Sequence, residues 1–222
     1  YFHPQDFWSL NALGLPNLGV NYYRNLLPEM VKHAHGAGKK IRANIAPFSP
    51  DECGQMAEMC IGRNVDSVVI NGSCPNIWDG GKHPVIPALN PEAAEAMFEA
   101  TRRYVGNFMM DVWFKLSPTD DLELVRGLVA AFRRYDIRKL VCCNTKGGQR
   151  GQKIDGTQAL AFRAGEGGEL HHEGGLAGRG VYEENLATAR AFIKAMPGAQ
   201  VIGLGGIFNG AHAQEYLDAG CV

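Results

Sequence analysis

Several short polar clusters in this 222-residue chain carry residue types that can do chemistry: NALGLPN (11–17), NGSCPN (71–76), WFKLSP (113–118), CCNT (142–145), GGLAG (174–178) and GLGG (203–206). A cysteine thiol becomes a base or a nucleophile once ionised, and Cys74 stands between two asparagines on an apparent turn. Asparagine amides present a donor and an acceptor together, so Asn11, Asn71, Asn76 and Asn144 suit a planar ring with amide edges. Each could equally be a turn residue satisfying its own backbone. Lys115 lies between Phe114 and Leu116. A lysine on a strand between apolar neighbours would point into the mouth of a barrel, where it could stabilise negative charge developing on a ring and where an unpaired ammonium is costly. Glycine pairs at strand ends expose backbone N–H groups to a phosphate. The GxGG run lacks the spacing and trailing acid of a dinucleotide fingerprint.

The elements that must position these clusters alternate regularly. Strands are expected at KIRANIAPF (40–48), SVVINGS (67–73), MDVWFKLSP (110–118), KLVCCNT (139–145) and QVIGLGG (200–206). Each is followed, directly or after an excursion, by a helix-like segment. Asn90 and Pro91 read as cap and first position of one helix, and Thr119 or Asp120 reads as the cap of the next. Near-continuous apolar strands alternating with helices predict a parallel sheet covered by helices. Polar or special residues close every strand, at Pro47, Asn71, Lys115, Asn144, and Gly205 with Gly206. A ring of such residues is the site geometry of a (β/α)8 TIM barrel, whereas a doubly wound sheet concentrates them at one switch point. The expectation is a barrel represented by about five of its eight units, within one domain spanning 1–222. Residues 146–180 form an excursion too long for an idle loop, and a lid, a small hairpin layer or a mobile segment is expected there.

Composition narrows the function. Apolar residues make up 45% and charged residues 20%, with a formal net charge of −1. That balance disfavours nucleic-acid or membrane binding by bulk electrostatics and favours small-molecule partners. The 28 glycines cluster late in the chain. The six cysteines show no CxxC spacing, which suits neither a disulfide framework nor zinc and fits a reducing cytoplasm. Cys53 and Cys60 have core spacing on one helix face. Cys142 and Cys143, as strand neighbours, are expected to face opposite sides. HHE (171–173) lacks a third ligand at useful spacing, so no metal is expected. His33 and His35 are assigned no role.

Taken in order, NALGLPNLGVNYY, VVINGSCPN, FKLSP, CCNT, GGLAG and VIGLGGI resemble the dihydroorotate dehydrogenase family, flavin enzymes of pyrimidine biosynthesis. The resemblance covers nearly the whole chain and implies an FMN-binding TIM barrel that oxidises dihydroorotate to orotate. It matches Cys74 to the catalytic base of the soluble branch, where the quinone-using branch has serine. It matches Asn11, Asn71, Asn76 and Asn144 to asparagines that grip the substrate, and Leu13, Gly14 and Leu15 to the carboxylate-binding loop. Thr145 falls beside the ring. Asn71 and Lys115 fall among the flavin contacts, and Gly175, Gly205 and Gly206 around the ribityl chain and phosphate. An ordinary thiol titrates near about 8.5, so turnover is expected to rise with pH toward that region.

The resemblance also sets limits. The family's first two barrel strands, with a second essential lysine, and its last strand are not in this sequence, so the chain reads as cut at both ends. GLPNLGVNYY leans toward the homodimeric, fumarate-using type. KLSP leans toward the type that works with an iron–sulfur partner subunit and NAD, and the longer match favours fumarate. The rival readings are the pyrimidine-reducing barrel of dihydropyrimidine dehydrogenase, which shares the SCP turn but differs at Asn76, and an inactive FMN-binding fragment.

Overall fold

The computed structural model describes residues 1–74, 85–163 and 169–222. Its centre is a parallel sheet of five strands, β3 (Arg42–Ile45), β4 (Ser67–Asn71), β5 (Val112–Lys115), β6 (Lys139–Cys142) and β11 (Gln200–Gly203). They pair in chain order, β3 to β4 to β5 to β6 to β11, and every pairing is parallel. A sheet that never reverses its order has no switch point, so the wound-sheet alternative falls and the α/β fold is of the TIM-barrel type. All five lie within the expected segments and are shorter than them: Asn71 and Lys115 stay in the ladder as the last residues of their strands, while Pro47, Asn144, Gly205 and Gly206 lie beyond it.

The two faces of this sheet are packed separately. Val69, Trp113 and Val141, with Ile202 against them, form a small cluster of their own. Residues such as Val68, Ile70, Phe114, Leu140 and Val201 belong to the large core shared with the helices. Strand periodicity produces this division, since successive side chains point to opposite faces. The inner cluster is covered at its N-terminal end by Arg42, whose guanidinium lies 4.1 Å from the Trp113 ring centre and donates from Nε to Ser67 Oγ at 2.9 Å.

The helices lie in the core shared with the outer face. They are α1 (Val20–Gly36), α2 (Pro50–Ile61), α3 (Pro91–Val105), α4 (Leu122–Arg134), α5 (Tyr182–Ala195) and α6 (Gly210–Asp218). Asn90 caps α3 as expected, accepting from Ala93 N at 2.8 Å, with Pro91 at the first position. The cap of α4 is Asp121, whose carboxylate accepts from Glu123 N and Leu124 N. That corrects the expectation of Thr119 or Asp120: Thr119 instead accepts from Asp121 N and fixes the approach to the cap. Asp121→Ala is expected to cost about 1 kcal/mol, read as a lowered denaturation midpoint.

The excursion joins the N-terminal hairpin in a second, antiparallel sheet. Its strands run β1 (Phe2–His3), β2 (Trp8–Asn11), β10 (Gly174–Gly178) and β7 (Lys146–Gln149). A separate hairpin pairs β8 (Phe162–Arg163) with β9 (Leu170–His171). GGLAG is therefore strand β10 rather than a turn. Its glycines permit close pairing, since a Cβ at Gly174 would lie 2.5 Å from Asn11 O. His172 and Glu173 have local partners, His172 Nδ1 at 2.8 Å from Leu160 O and Glu173 in an ion pair with Arg150. His35 pairs with Asp66 at 2.9 Å, which ties α1 to the turn before β4. Among the described residues, no helix is long and apolar enough to cross a membrane.

Candidate active site

Three adjacent strands end together, and their ends make the site. Asn71 closes β4 and is paired in register with Lys115, which closes β5; Lys115 is in turn in register with Val141 near the end of β6. Beyond the ladder the chain ends are stitched together. Asn144 donates from Nδ2 to Ser73 O at 2.8 Å and to Asn71 Oδ1 at 3.4 Å, while its own Oδ1 accepts from Thr145 N. Ser73 Oγ donates to the same Asn71 Oδ1 at 3.0 Å. Asn144 N also donates to Leu116 O. The β4 loop and the β6 loop are thus joined over the end of β5.

Cys74 follows directly on this brace. It is buried, beside a small cavity of about 40 Å3 walled by Phe48, Ile70, Ile86, Pro87 and Met97. Gly72 sets the loop's path: a Cβ there would lie 2.5 Å from Phe114 Cζ, so only glycine lets the chain cross that ring. Burial pulls the Lys115 ammonium below the ordinary lysine range, opposed by the charges of the Cys74 and Cys143 thiolates. Among the described residues no hydrogen-bond acceptor reaches that ammonium.

The other expected residues are placed elsewhere or differently. Asn11 closes β2 and donates to Gly175 O at 3.5 Å, with Gly175 its partner in the ladder. Leu13 is 75% exposed, while Gly14 and Leu15 line a separate cavity of about 480 Å3 against α1, β3 and α2. The structure does not bring that loop into the Cys74 cavity. Gly205 and Gly206 have positive φ and pack closely against Asn185 and Tyr182 of α5, so protein packing alone accounts for both glycines. Asn76 lies outside the described residues. Asn144 differs in kind from the expectation, because its amide braces Asn71 and Ser73 instead of presenting an open edge. The Asn71 Nδ2 group is the open edge, with no acceptor among the described residues.

Two site residues were missed from the sequence. Ser73 was legible, since a hydroxyl two residues after an asparagine on a turn is a common local partner. Cys143 was assigned with Cys142 to opposite faces. That is corrected: β6 ends at Cys142, so strand alternation stops there, and both thiols are buried. Burial pushes the Cys142 thiol well up, reinforced by Cys143 and Cys221 beside it. Cys53 and Cys60 are core thiols as expected, pushed by burial to about 12 and about 11.

A parallel α/β fold of the TIM-barrel type, with a thiol, a lysine and amides gathered at its strand ends, defines a class of small-molecule enzymes. The sequence model of dihydroorotate dehydrogenase matches residues 2–222, and the chain belongs to that family. Similar curated proteins include "Putative dihydroorotate dehydrogenase A (fumarate)" from Streptococcus pyogenes serotype M3. It is 28% identical over 214 residues, 96% of this chain and 63% of the relative. A protein of the same name from Streptococcus agalactiae serotype Ia is 25% identical over 217 residues, 97% and 64% respectively. The chain therefore spans under two thirds of these relatives' length. A crystal structure of DHODH from Eimeria tenella in complex with ferulenol shares the fold, with a TM-score of 0.75 at 17% identity. The likeness covers 96% of this chain and 60% of that one. The family is FMN-dependent, and the unmatched, half-buried Lys115 ammonium fits the carbonyl edge of a flavin ring.

Asn144→Ala removes the amide that donates to Asn71 Oδ1 and to Ser73 O and accepts from Thr145 N. Three hydrogen bonds of about 1 kcal/mol each are lost, and Asn71 keeps only the Ser73 hydroxyl. Substrate-driven flavin reduction should slow about tenfold or more, with a lowered melting temperature, and Asn144→Asp should rescue neither donor.

Proposed function

We propose that this chain carries out the FMN-dependent oxidation of dihydroorotate to orotate, a step of pyrimidine biosynthesis, in the cytoplasm and as part of a homodimer. The observation that carries the reading is the buried Cys74 set beside Asn71 and Lys115 at the strand ends, in a chain of this family. Cys74 Sγ, once ionised, takes the proton from C5 of the substrate. A bound FMN would supply the acceptor for the hydride that leaves C6. Asn71, through its open Nδ2, and Asn11 and Asn76 orient the ring, while Asn144 with Thr145 keeps Asn71 in place. The Leu13–Leu15 loop receives the substrate carboxylate. Lys115 and Asn71 hold the flavin ring, and the backbone at Gly175, Gly205 and Gly206 the ribityl phosphate.

Taking the proton turns the Cys74 thiolate into a neutral thiol, the form that costs least beside Phe48, Ile70 and Met97. The relatives' fumarate designation supports fumarate as the electron acceptor over an iron–sulfur partner subunit with NAD. The test is steady-state turnover of the FMN-loaded chain with dihydroorotate and either fumarate, NAD or a quinone. Orotate formation with fumarate is expected. Turnover of dihydrouracil in preference to dihydroorotate would place the chain with the dihydropyrimidine dehydrogenase-like barrels instead.

A further inference from the structure

We infer that Asn185 of α5 and Tyr216 of α6 are positioning residues for a phosphate site: they hold the turn after β11 so that its peptide N–H groups can bind the phosphate of FMN. The inference deepens the reading above and rests on it for what the turn binds. Its basis is the set of donors gathered on two consecutive carbonyls. Leu204 O accepts from Asn185 Nδ2 at 2.9 Å and from Cys143 N at 3.2 Å. The Tyr216 hydroxyl lies 3.3 Å from Leu204 O and 3.2 Å from Gly205 O, and shares its proton between them. Across a trans peptide the N–H points opposite to the C=O, and the Leu204–Gly205 and Gly205–Gly206 bonds are both trans. The N–H groups of Gly205 and Gly206 therefore point away from Asn185 and Tyr216. Among the described residues neither meets an acceptor, although Gly206 is buried. Nearly all buried peptide N–H groups are paired, and successive unpaired ones on a turn form a concavity suited to an anion.

Close packing accounts for the two glycines, but it does not account for the asparagine behind them. Asn185 lies inside α5 and is 1% exposed. Its Oδ1 meets no donor among the described residues, and asparagine is a poor helix former. A buried amide with one end unpaired costs stability, and an aliphatic residue of similar size would suit that core position better. What the amide contributes is its bond to Leu204 O. A residue that breaks a local rule in this way marks a functional demand. Tyr216 is buried as well. Its ring lies over Gly203, where a Cβ would be 2.2 Å from Tyr216 Cδ1, and this brings the hydroxyl under the turn. Two helices thus fix the turn from behind and leave its opposite side to a ligand.

FMN and riboflavin differ only in the phosphate, so the test is the affinity of the flavin-free full chain for each, read by quenching of flavin fluorescence. The unaltered chain should bind FMN more tightly than riboflavin. In Asn185→Leu and in Tyr216→Phe that preference should shrink, by about tenfold when the two are combined, while riboflavin affinity stays near that of the unaltered chain. Asn185→Leu should not lower the melting temperature, because it removes an unpaired acceptor. Thr188→Val is the control. Its hydroxyl, buried on the same helix, bonds Thr119 and Glu184 rather than the turn, so its loss should lower the melting temperature and leave the preference for FMN unchanged. If Asn185→Leu fails to fold, Tyr216→Phe, which keeps the ring, is read in the same way. An unchanged preference in the variants, or an equal loss of both flavins, overturns the inference alone. An unaltered chain that binds the two flavins alike overturns the assignment of the turn to phosphate, and the inference with it. A preference that depends on Asn185 and Tyr216, in a chain whose flavin is not reduced by dihydroorotate, sinks the proposed reaction and leaves the inference standing.

Discussion

Cys74→Ala is expected to slow reduction of bound flavin by dihydroorotate by about 10²- to 10⁴-fold, the contribution a positioned general base usually makes. The thiol is the only proton acceptor lining its cavity among the described residues, so none of those stands ready to replace it. Flavin affinity should be nearly unchanged, since the residues assigned to hold FMN are Asn71, Lys115 and the late glycines. Cys74→Ser tests the base more finely. A hydroxyl ionises far less readily than a thiol, so the serine variant should retain some reduction, rising toward alkaline pH. Anaerobic single-turnover absorbance of the flavin measures both variants. Loss of flavin affinity together with rate would mean that Cys74 supports the fold rather than the reaction.

The largest expected effect on stability is that of Phe114→Ala, about 3–5 kcal/mol. Phe114 is fully buried and its ring meets Phe98 edge-on at 5.1 Å and Phe132 at 5.5 Å. Those two belong to α3 and α4, so one side chain of β5 joins the sheet to two helices. It also lies under Gly72, between the core and the loop that carries Cys74. Truncation leaves a cavity at that junction, so the denaturation midpoint should fall and the Cys74 loop should lose its floor. Urea unfolding measures the first effect. The second should appear as faster alkylation of Cys74 under native conditions. The neighbouring ring Phe98, buried as deeply but in α3, serves as a control: Phe98→Ala should lower stability without the same gain in Cys74 reactivity.

Much of the fold could be read from the sequence because its signals are local. The runs SVVI and VWF are apolar and end in Asn71 and Lys115, and a strand that stops at a polar residue announces both its direction and its functional end. Proline and asparagine at 90–91 fixed the start of α3 for the same reason. The excursion at 146–180 could not be resolved in that way. Its strand β10 pairs with β2, more than 130 residues earlier in the chain, and on its other side with β7, and GGLAG carries no side-chain alternation to mark it as a strand. Long-range backbone pairing of glycine-rich segments leaves no periodic trace.

The site divides along the same line. Asn71, Cys74 and Lys115 could be found one at a time, as polar residues closing apolar strands. Their relation to each other could not, because it depends on strand register and on the Asn144 brace, both of which are tertiary. The asparagine at 144 looked like its neighbours at 11 and 71 in sequence, yet its amide is consumed internally while that of Asn71 remains open. Cys143 was hidden by the assumption that alternation continues, when the ladder had already ended one residue before it.

The central claim is that this chain places a base, a flavin and dihydroorotate together at the ends of β4, β5 and β6. The most direct measurement is anaerobic bleaching of the flavin in the FMN-loaded chain on addition of dihydroorotate, with dihydrouracil in a parallel cuvette. The account predicts rapid loss of the flavin absorbance with dihydroorotate, its return when fumarate is added, and little change with dihydrouracil. A chain that retains FMN yet keeps its full absorbance in the presence of dihydroorotate would contradict it.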